Sequence, residues 1–278
     1  MTIKIVADST CDLPQQVIKA FDITIVPMFI NIGERGYLDG IDISREDFYS
    51  NLPDYKIHPT TGTPGVKAFT DVFASLTAGG ADEILTIHIS KSLSAVCGVA
   101  EAAAREFTAI PVTVRDSGQL SLGIGFQVEL AARMAKAGKN MQKIIAALDD
   151  LKRRTFVAAG LDTLEYLRRS GRMNIFLAGI GSLLQLKPIL TMRNGLPASE
   201  KVRTSQKAGD RLIAMLAENL PVERFAFVHT HAAKKVDAFK LRIGNLIPKK
   251  DEFLSVDITP VIGAHLGPGA VGFALVSK

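Results

Sequence analysis

Short apolar segments alternate with helical segments through the first half of this chain, and this alternation restricts its fold more than any other feature. Residues 3–9, 83–90 and 111–117 are apolar runs of strand length, and stretches of helical character follow them. Near-continuous apolar runs are typical of strands covered on both faces. Strands alternating with helices are typical of right-handed βαβ units. The sequence therefore predicts a parallel sheet for the first half.

The pattern changes after about residue 152. The dipeptide Asn194-Gly195 is a strong signal for a two-residue hairpin, so antiparallel strands are expected there. Helical segments at 205–220 and 232–246 then alternate with further strands. We predict two domains, a parallel-sheet α/β domain over 1–152 and a mixed α/β domain over 153–278.

Composition excludes several classes of protein. Hydrophobic residues make up 47% and charged residues 22% of the chain, and no window approaches the roughly 20 apolar residues of a membrane helix. The first residues enter a strand pattern without the features of a signal peptide, which predicts a cytoplasmic protein. Cys11 and Cys97 are far apart in sequence, so we expect two reduced thiols rather than a disulfide framework or a zinc knuckle.

The net charge of +5 hides an asymmetry between the halves. Residues 1–150 hold 13 Lys and Arg against 18 Asp and Glu, whereas residues 151–278 hold 20 against 10, which gives −5 and +10. A basic half can bind nucleic acid or an acidic partner. Aromatic residues are only 6% of the chain and tryptophan is absent, which disfavours a platform for stacked bases. We therefore favour a protein partner, with a nucleic-acid-binding regulator as the less favoured alternative.

Hydroxyl side chains follow the predicted strands at the edge where open parallel sheets bind ligands. Four loops carry them, at 8–10, 60–63, 90–94 and 116–117. Helix N-termini offer unpaired N–H groups, so Ser and Thr beside them can hold an anion without a basic side chain. The same residue types also simply cap helices. The sequence is thus compatible with an anion site, and two such loops in successive βαβ units strengthen that interpretation.

Signatures of other chemistry are missing or incomplete. No phosphate loop is present, and no dinucleotide-binding glycine pattern follows a strand. His229 and His231 would lie on one face of a strand, but no carboxylate lies nearby in sequence to complete a metal site. We expect no metal and no cofactor.

The stretch 262–273, IGAHLGPGAVGF, surrounds the single His265 with four glycines and a proline. On its own it is interpreted as a strand interrupted by glycines where a ligand or another backbone approaches closely. A lone histidine in such a place is usually structural, so the hydroxyl loops are needed before it becomes a candidate site residue.

Six collinear motifs resemble the bacterial DegV-type fatty-acid-binding proteins. They are VADSTCDLP at 6–14, TTGTP at 60–64, ISKSLSAV at 89–96, DTLEYLRRSGRMN at 162–174, LLQLKPIL at 183–190 and GAHLGPGAVGF at 263–273. The resemblance covers nearly the whole chain. It implies a two-domain α/β fold, a three-layer α/β/α parallel-sheet domain followed by a mixed α/β domain, with one long-chain fatty acid held between the two.

The resemblance also implies a function. Better-understood members present the bound acid to a separate ATP-binding kinase subunit, which phosphorylates it to an acyl phosphate. Carried over to this chain, Thr61 and Ser94 would hydrogen-bond the carboxylate and His265 would complete the network. Arg172 would contact the kinase, so that its loss would spare lipid binding. The protein itself would be a lipid carrier and not an enzyme.

The chain departs from the family pattern beside the implied head-group site. Gly62 and Thr63 stand where serine and glutamine are usual, Ala95 and Val96 replace glycine and threonine, and Ser170 replaces a glycine. We expect the backbone N–H of Gly62 to take the place of the missing hydroxyl. The alternative to a carrier is a stand-alone phosphotransferase or hydrolase that uses Ser94 or Cys11 with His265.

Overall fold

Thirteen strands and eleven helices are described by the computed structural model of the chain, which covers residues 1–176, 186–244, 246–247 and 252–278. The strands are β1 (Ile3–Asp8), β2 (Thr24–Val26), β3 (Phe29–Ile32), β4 (Arg35–Leu38), β5 (Thr60–Gly62), β6 (Glu83–His88), β7 (Val112–Asp116), β8 (Thr155–Gly160), β9 (Lys187–Arg193), β10 (Leu196–Val202), β11 (Val222–His229), β12 (Ser255–Asp257) and β13 (Val271–Ser277). The helices are α1 (Gln15–Ala20), α2 (Arg45–Asn51), α3 (Val66–Ala78), α4 (Val96–Glu106), α5 (Leu122–Lys136), α6 (Met141–Arg154), α7 (Glu165–Arg169), α8 (Met173–Phe176), α9 (Ser205–Ala217), α10 (Ala233–Ile243) and α11 (Pro260–Leu266).

A four-stranded parallel sheet organises the first half, in the order β2-β1-β6-β7. Strands β1 and β6 are almost completely buried, as the apolar runs predicted. Helices α3 and α4 pack against each other and on this sheet, while α5 contacts β1 and β6. The predicted parallel-sheet α/β architecture of the first half is confirmed.

A second, three-stranded antiparallel sheet in the order β4-β3-β5 is inserted between β2 and α3. The sequence pattern at 23–31 reads as one strand, and this interpretation is wrong. Proline lacks an N–H for a sheet ladder, and Pro27 separates β2, which pairs with β1, from β3, which pairs with β4 and β5. The chain leaves the parallel sheet at this point and returns to it only at β6.

The second half forms a six-stranded mixed sheet, in the order β10-β9-β8-β13-β11-β12. All its pairs are antiparallel except β11 with β12. The predicted hairpin joins β9 to β10, and Asn194 and Gly195 both have positive φ values, of 53° and 80°. Left-handed backbone at both central residues is what a type I′ turn requires. All strands from Thr155 onward belong to this sheet, and the boundary at 152/153 stays a prediction.

The two faces of the second sheet pack into two different hydrophobic cores, so alternate residues along a strand belong to different cores. Along β13, Phe273 and Leu275 pack against α9 and α10, whereas Ala274 and Val276 face the core shared with the first half. Helix α5 lies between the two sheets and contacts β1 and β6 on one side and β8 and β13 on the other. The two halves are therefore joined through a continuous apolar core.

The stretch interpreted as an interrupted strand is a short helix followed by a strand. Helix α11 spans Pro260–Leu266, with Thr259 as its N-cap and proline at its first position, and β13 begins only at Val271. Threonine before proline is a helix-start signal, and here it outweighs the glycines. Gly267 has a φ of +74°, and a side chain there would also overlap Tyr166. His265 consequently lies on the last turn of a helix.

A buried carboxylate, Asp12, ties the first half to the start of α11. Its place in the sequence predicts that it caps α1, and this prediction is wrong, because Pro14 is the N-cap of that helix. Its oxygens instead accept hydrogen bonds from the Ser121 hydroxyl at 2.6 Å and from the Thr259 backbone N–H at 2.8 Å, and Arg45 lies 3.0 Å away. Burial raises the pKa of Asp12 to about 6, although Arg45, Ser121 and Thr259 all act to lower it.

We expect Asp12→Asn to lower the free energy of unfolding by about 3 kcal/mol. The amide places a donor among groups that already donate, and it leaves Arg45 without its carboxylate. Urea unfolding measures the change. Asp71→Asn is the control, because the exposed Lys67–Asp71 pair is expected to contribute less than about 0.5 kcal/mol. Equal stability losses in the two variants would contradict the structural role of Asp12.

Candidate functional site

An apolar cavity lies beyond the carboxyl ends of β1, β6 and β7, where the sequence predicts a ligand site. Nine of the described residues that line it are apolar, and they come from both halves of the chain. The five polar lining residues are Thr10, Thr61, Ser94, Arg172 and His265. A site with a few polar groups in an apolar cavity suits a ligand with a polar head and a hydrocarbon body.

Thr61 and His265 meet in this cavity although 204 positions separate them in sequence. Thr61 lies on β5, whose register with β3 pairs it with Ile30, and its Oγ1 is 3.1 Å from His265 Nε2. The other ring nitrogen, His265 Nδ1, is buried and has no hydrogen-bond partner among the described residues. If Nε2 carries the proton and donates to Thr61, the threonine O–H stays free to donate into the cavity.

Ser94 lines the same cavity and lies two residues before α4 begins. Its hydroxyl oxygen accepts a hydrogen bond from the Val96 backbone N–H at 3.3 Å, which leaves the serine O–H free to donate. The N-terminus of α4 adds its own partial positive charge at this point. Two hydroxyls, each of which can accept from the protein and donate to a ligand, suit an ionised carboxylate, which only accepts hydrogen bonds.

His265 is neutral at physiological pH. Burial, then the positive charge of Arg172 and the neighbouring His58, together lower its pKa to about 3. A neutral imidazole contributes one donor and one acceptor rather than a charge. His265 therefore supports the Thr61 hydroxyl through a hydrogen bond, and it carries no charge that could balance an anion.

Arg172 lies at the cavity, close enough to depress the pKa of His265. It is half-buried, and its guanidinium forms no ion pair with any carboxylate in the described part of the chain. The basic residues before it differ, because Arg168 and Arg169 both pair with Glu165. Arg172 is thus the one cationic side chain among the described lining residues. Its expected contact with a kinase is not tested by this geometry.

Other predicted positions are not brought into the cavity lining. Gly62 pairs with Phe29 on β3, and a Cβ at Gly62 would make only ordinary contacts, 3.5 Å from Phe29 and 3.8 Å from Asn31. Cys11 lines a different cavity beside Asp12. The apolar side chains of the segment 173–186 are candidates from the sequence for lining a ligand cavity, although an ordinary core is the more usual role for any one of them. Residues 177–185 of this segment lie outside the described part, and Phe176 lines the cavity.

A carboxylate, that of Asp257, lies beside His229 and His231, although it is distant from them in sequence. Strand pairing puts Asp257 opposite His229, with 3.5 Å between Asp257 Oδ1 and His229 Nδ1. The Nδ1 atom also accepts a hydrogen bond from the Ala232 N–H at 3.2 Å. No group of three or more His, Cys, Asp or Glu residues suited to a metal ion occurs within the described ranges.

Two residues beside the site were not named individually from the sequence, although Thr10 lies in the predicted hydroxyl loop 8–10. Thr10 lines the cavity, and its hydroxyl donates to the buried Asp8 carboxylate. His58 lies next to His265 and packs against Tyr166, with 5.9 Å between ring centroids. The VADST motif pointed to the loop that contains Thr10, whereas no sequence signal marks His58.

This geometry defines a mixed α/β protein with an apolar cavity lined by residues from both of its halves. Comparison with known proteins places it within a family: the profile described as "Uncharacterised protein, DegV family" matches residues 2–278. A DegV domain-containing protein of Streptomyces coelicolor is 34% identical over 281 residues, with 99% of each chain covered. The chain belongs to the DegV family, and the resemblance drawn from its motifs is confirmed.

Solved structures confirm the fold. A fatty-acid-binding DegV family protein from Thermus thermophilus superposes with a TM-score of 0.89 at 32% identity, with all of both chains covered. DegV from Bacillus subtilis, described as a fatty acid binding protein, gives a TM-score of 0.88 at 30% identity, again over all of both chains. The two-domain α/β fold class is therefore shown. Within the described residues, no helix is both long enough and apolar enough to span a bilayer.

Proposed function

We propose that this protein binds one long-chain fatty acid, with the hydrocarbon tail in the apolar cavity and the carboxylate at Thr61, Ser94 and Arg172. The observation that carries the proposal is that two donor-capable hydroxyls and one cation are among the described residues lining a mostly apolar cavity. The two solved relatives are described as fatty-acid-binding proteins, and this supports the proposal.

The expected binding energies suit this arrangement, in which the cavity binds the tail and the polar side chains bind the carboxylate. Burying hydrocarbon contributes about 0.8 kcal/mol per methylene, so a 16-carbon tail supplies most of the affinity. The head group then needs only to be hydrogen-bonded and oriented, because an unsatisfied buried carboxylate would cost several kcal/mol. Two hydroxyls satisfy part of the carboxylate and Arg172 balances its charge, while neutral His265 orients Thr61.

We further propose that the bound acid is presented to a separate ATP-binding kinase subunit for acyl phosphate formation. A carboxylate held mainly by hydroxyls keeps an oxygen available for attack on a phosphoryl group. The basic second half suits docking to an acidic partner surface. We also expect Arg172 to contact the kinase. It lines the cavity in which the carboxylate would be bound, and the kinase must approach that carboxylate.

Displacement of a fluorescent long-chain acid from lipid-stripped protein tests the binding step. Palmitate is expected to displace the probe, and methyl palmitate, which has the same tail without the charge, is expected to do so at least tenfold less well, a difference of about 1.4 kcal/mol. Equal displacement by both ligands would contradict the head-group assignment, and displacement by neither would contradict the function. Addition of a fatty acid kinase subunit and ATP, with hydroxylamine to trap acyl phosphate, tests the presenting role.

The stand-alone enzyme alternative is not favoured by the positions of its nucleophiles. His265 hydrogen-bonds Thr61, and no hydrogen bond joins it to Ser94 within the described residues. Cys11 is 1% exposed, lines another cavity, and has its pKa raised to about 12 by burial. A nucleophile requires a base within reach or a lowered pKa, and neither residue has one.

Both thiols are therefore expected to be unreactive in the folded protein. Cys97 is buried as well, and burial raises its pKa to about 12. We predict that a disulfide reagent at pH 8 labels neither cysteine in the native state and both in 6 M guanidinium, because the thiolate is the reactive form. Rapid labelling of Cys11 in the native protein would revive the enzyme alternative.

A further inference from the structure

Helix α11, which carries His265, is held in place by the inserted sheet and not by its own stability. It has only seven residues, and helices of that length are not stable alone in water. Residues 29–62, here called the insertion, contain β3, β4, α2 and β5, and all but β4 pack against α11. Helix α7 packs against α11 as well, so the insertion and α7 together determine where His265 lies.

Polar contacts from the insertion fix the start of α11. The Thr259 hydroxyl, on the N-cap residue, donates to the buried Asp39 carboxylate. One residue earlier, the Ile258 carbonyl accepts a hydrogen bond from the Tyr49 hydroxyl at 2.9 Å. Arg45 donates to the Asp257 carbonyl. Three side chains of the insertion thus hold three consecutive residues that lead into the helix.

The Tyr49 ring then sets how closely the backbone of α11 can pack against the insertion. It is 2% exposed and lies directly on the helix backbone, where a Cβ at Gly263 would overlap its hydroxyl and ring. His231 also stacks on it, with ring centroids 5.9 Å apart and an interplanar angle of 16°. Tyr49 therefore packs between α11 and the turn after β11. Position 263 requires glycine, because any side chain there would overlap Tyr49.

The far end of the helix contacts the insertion again. Thr61, on β5 of the insertion, lies with its Oγ1 3.1 Å from His265 Nε2. His58, also in the insertion, lies beside His265. The insertion thus supplies the Thr61 hydroxyl and also helps to fix the His265 imidazole that orients this hydroxyl. We propose that Tyr49 and Asp39 are positioning residues that hold His265 in register with Thr61. This inference rests on the proposed binding of a fatty acid at that pair.

Tyr49→Phe and Asp39→Ala test the proposal. The first removes only the hydroxyl that reaches Ile258, and the second removes the acceptor for Thr259. Tyr55→Phe and Asp42→Ala are the controls, because both residues belong to the insertion and neither hydrogen-bonds α11 in the described structure. Two readouts are needed, the dissociation constant for palmitate and the ¹⁵N NMR signals of the His265 ring, identified by their loss in His265→Gln.

We expect the palmitate dissociation constant to rise about fivefold in each positioning variant and to stay within twofold of the parent in the controls. The Nε2 and Nδ1 signals of ligand-free protein should move toward those of a tautomeric mixture, as the hydrogen bond to Thr61 loosens. Variants that unfold at lower urea concentration yet keep the parent ring signals and affinity would overturn the proposal. If the parent protein binds no palmitate, the proposed function fails, and the ring signals of ligand-free protein still decide the positioning role.

Discussion

Removing both head-group hydroxyls, in the double variant Thr61→Val and Ser94→Ala, is expected to weaken palmitate binding by at least a hundredfold. Each hydroxyl donates to a charged acceptor, and such a hydrogen bond contributes about 1.5–3 kcal/mol. The change is small in volume, because valine is close in shape to threonine and the Ser94 side chain loses one atom. Thr61→Val also leaves His265 Nε2 without its partner at 3.1 Å.

Isothermal titration with palmitate measures this loss, and Thr60→Val is the matched control. Thr60 is the neighbouring residue on β5, is exposed, and contacts Asn31 rather than the cavity. We expect the control to bind as the parent does. A double variant that keeps the parent affinity would mean that the carboxylate is held elsewhere, and the head-group assignment would be wrong.

Arg172→Ala is expected to weaken palmitate binding about tenfold and to abolish acyl phosphate formation with a kinase subunit. The sequence alone led to the expectation that lipid binding would be spared. The structure changes this expectation, because the guanidinium lines the cavity without a carboxylate partner among the described residues. Loss of its charge should also raise the pKa of His265, which Arg172 lowers.

Arg172→Lys separates the two roles of this residue. Lysine keeps the charge but not the planar fork of donors, so binding should recover more fully than phosphorylation does. Arg168→Ala is the control, because Arg168 is exposed and its ion pair in the described structure is with Glu165. Unchanged palmitate affinity in Arg172→Ala would restrict the residue to the partner surface, as the sequence first indicated.

The parallel sheet was predictable because its strands are apolar on both faces, a pattern visible in a single sequence. The hairpin at Asn194-Gly195 was predictable for a different reason, since its turn type restricts the residues that can occupy it. The inserted sheet was not predictable in the same way. Strand β4 is largely exposed, and Pro27 divides what looks like one strand into two that belong to different sheets.

The site was partly predictable for a comparable reason. Hydroxyls after successive parallel strands must share one edge of the sheet, so Thr10 and Ser94 could be placed near each other. The position of His265 depends on contacts far apart in sequence, such as Tyr49 against Gly263, which leave no local signal. The same holds for Arg172, whose distance from the cavity is set by how the two halves pack.

Native mass spectrometry of the protein as purified from cells tests the central proposal most directly. We predict a mass above that of the chain by one fatty acid of 14 to 18 carbons, which lipid extraction removes and identifies. We predict that the same adduct is lost from the Thr61→Val and Ser94→Ala double variant and retained by Thr60→Val. A parent protein that carries no acid, and takes up none when palmitate is added after extraction, would contradict the proposal.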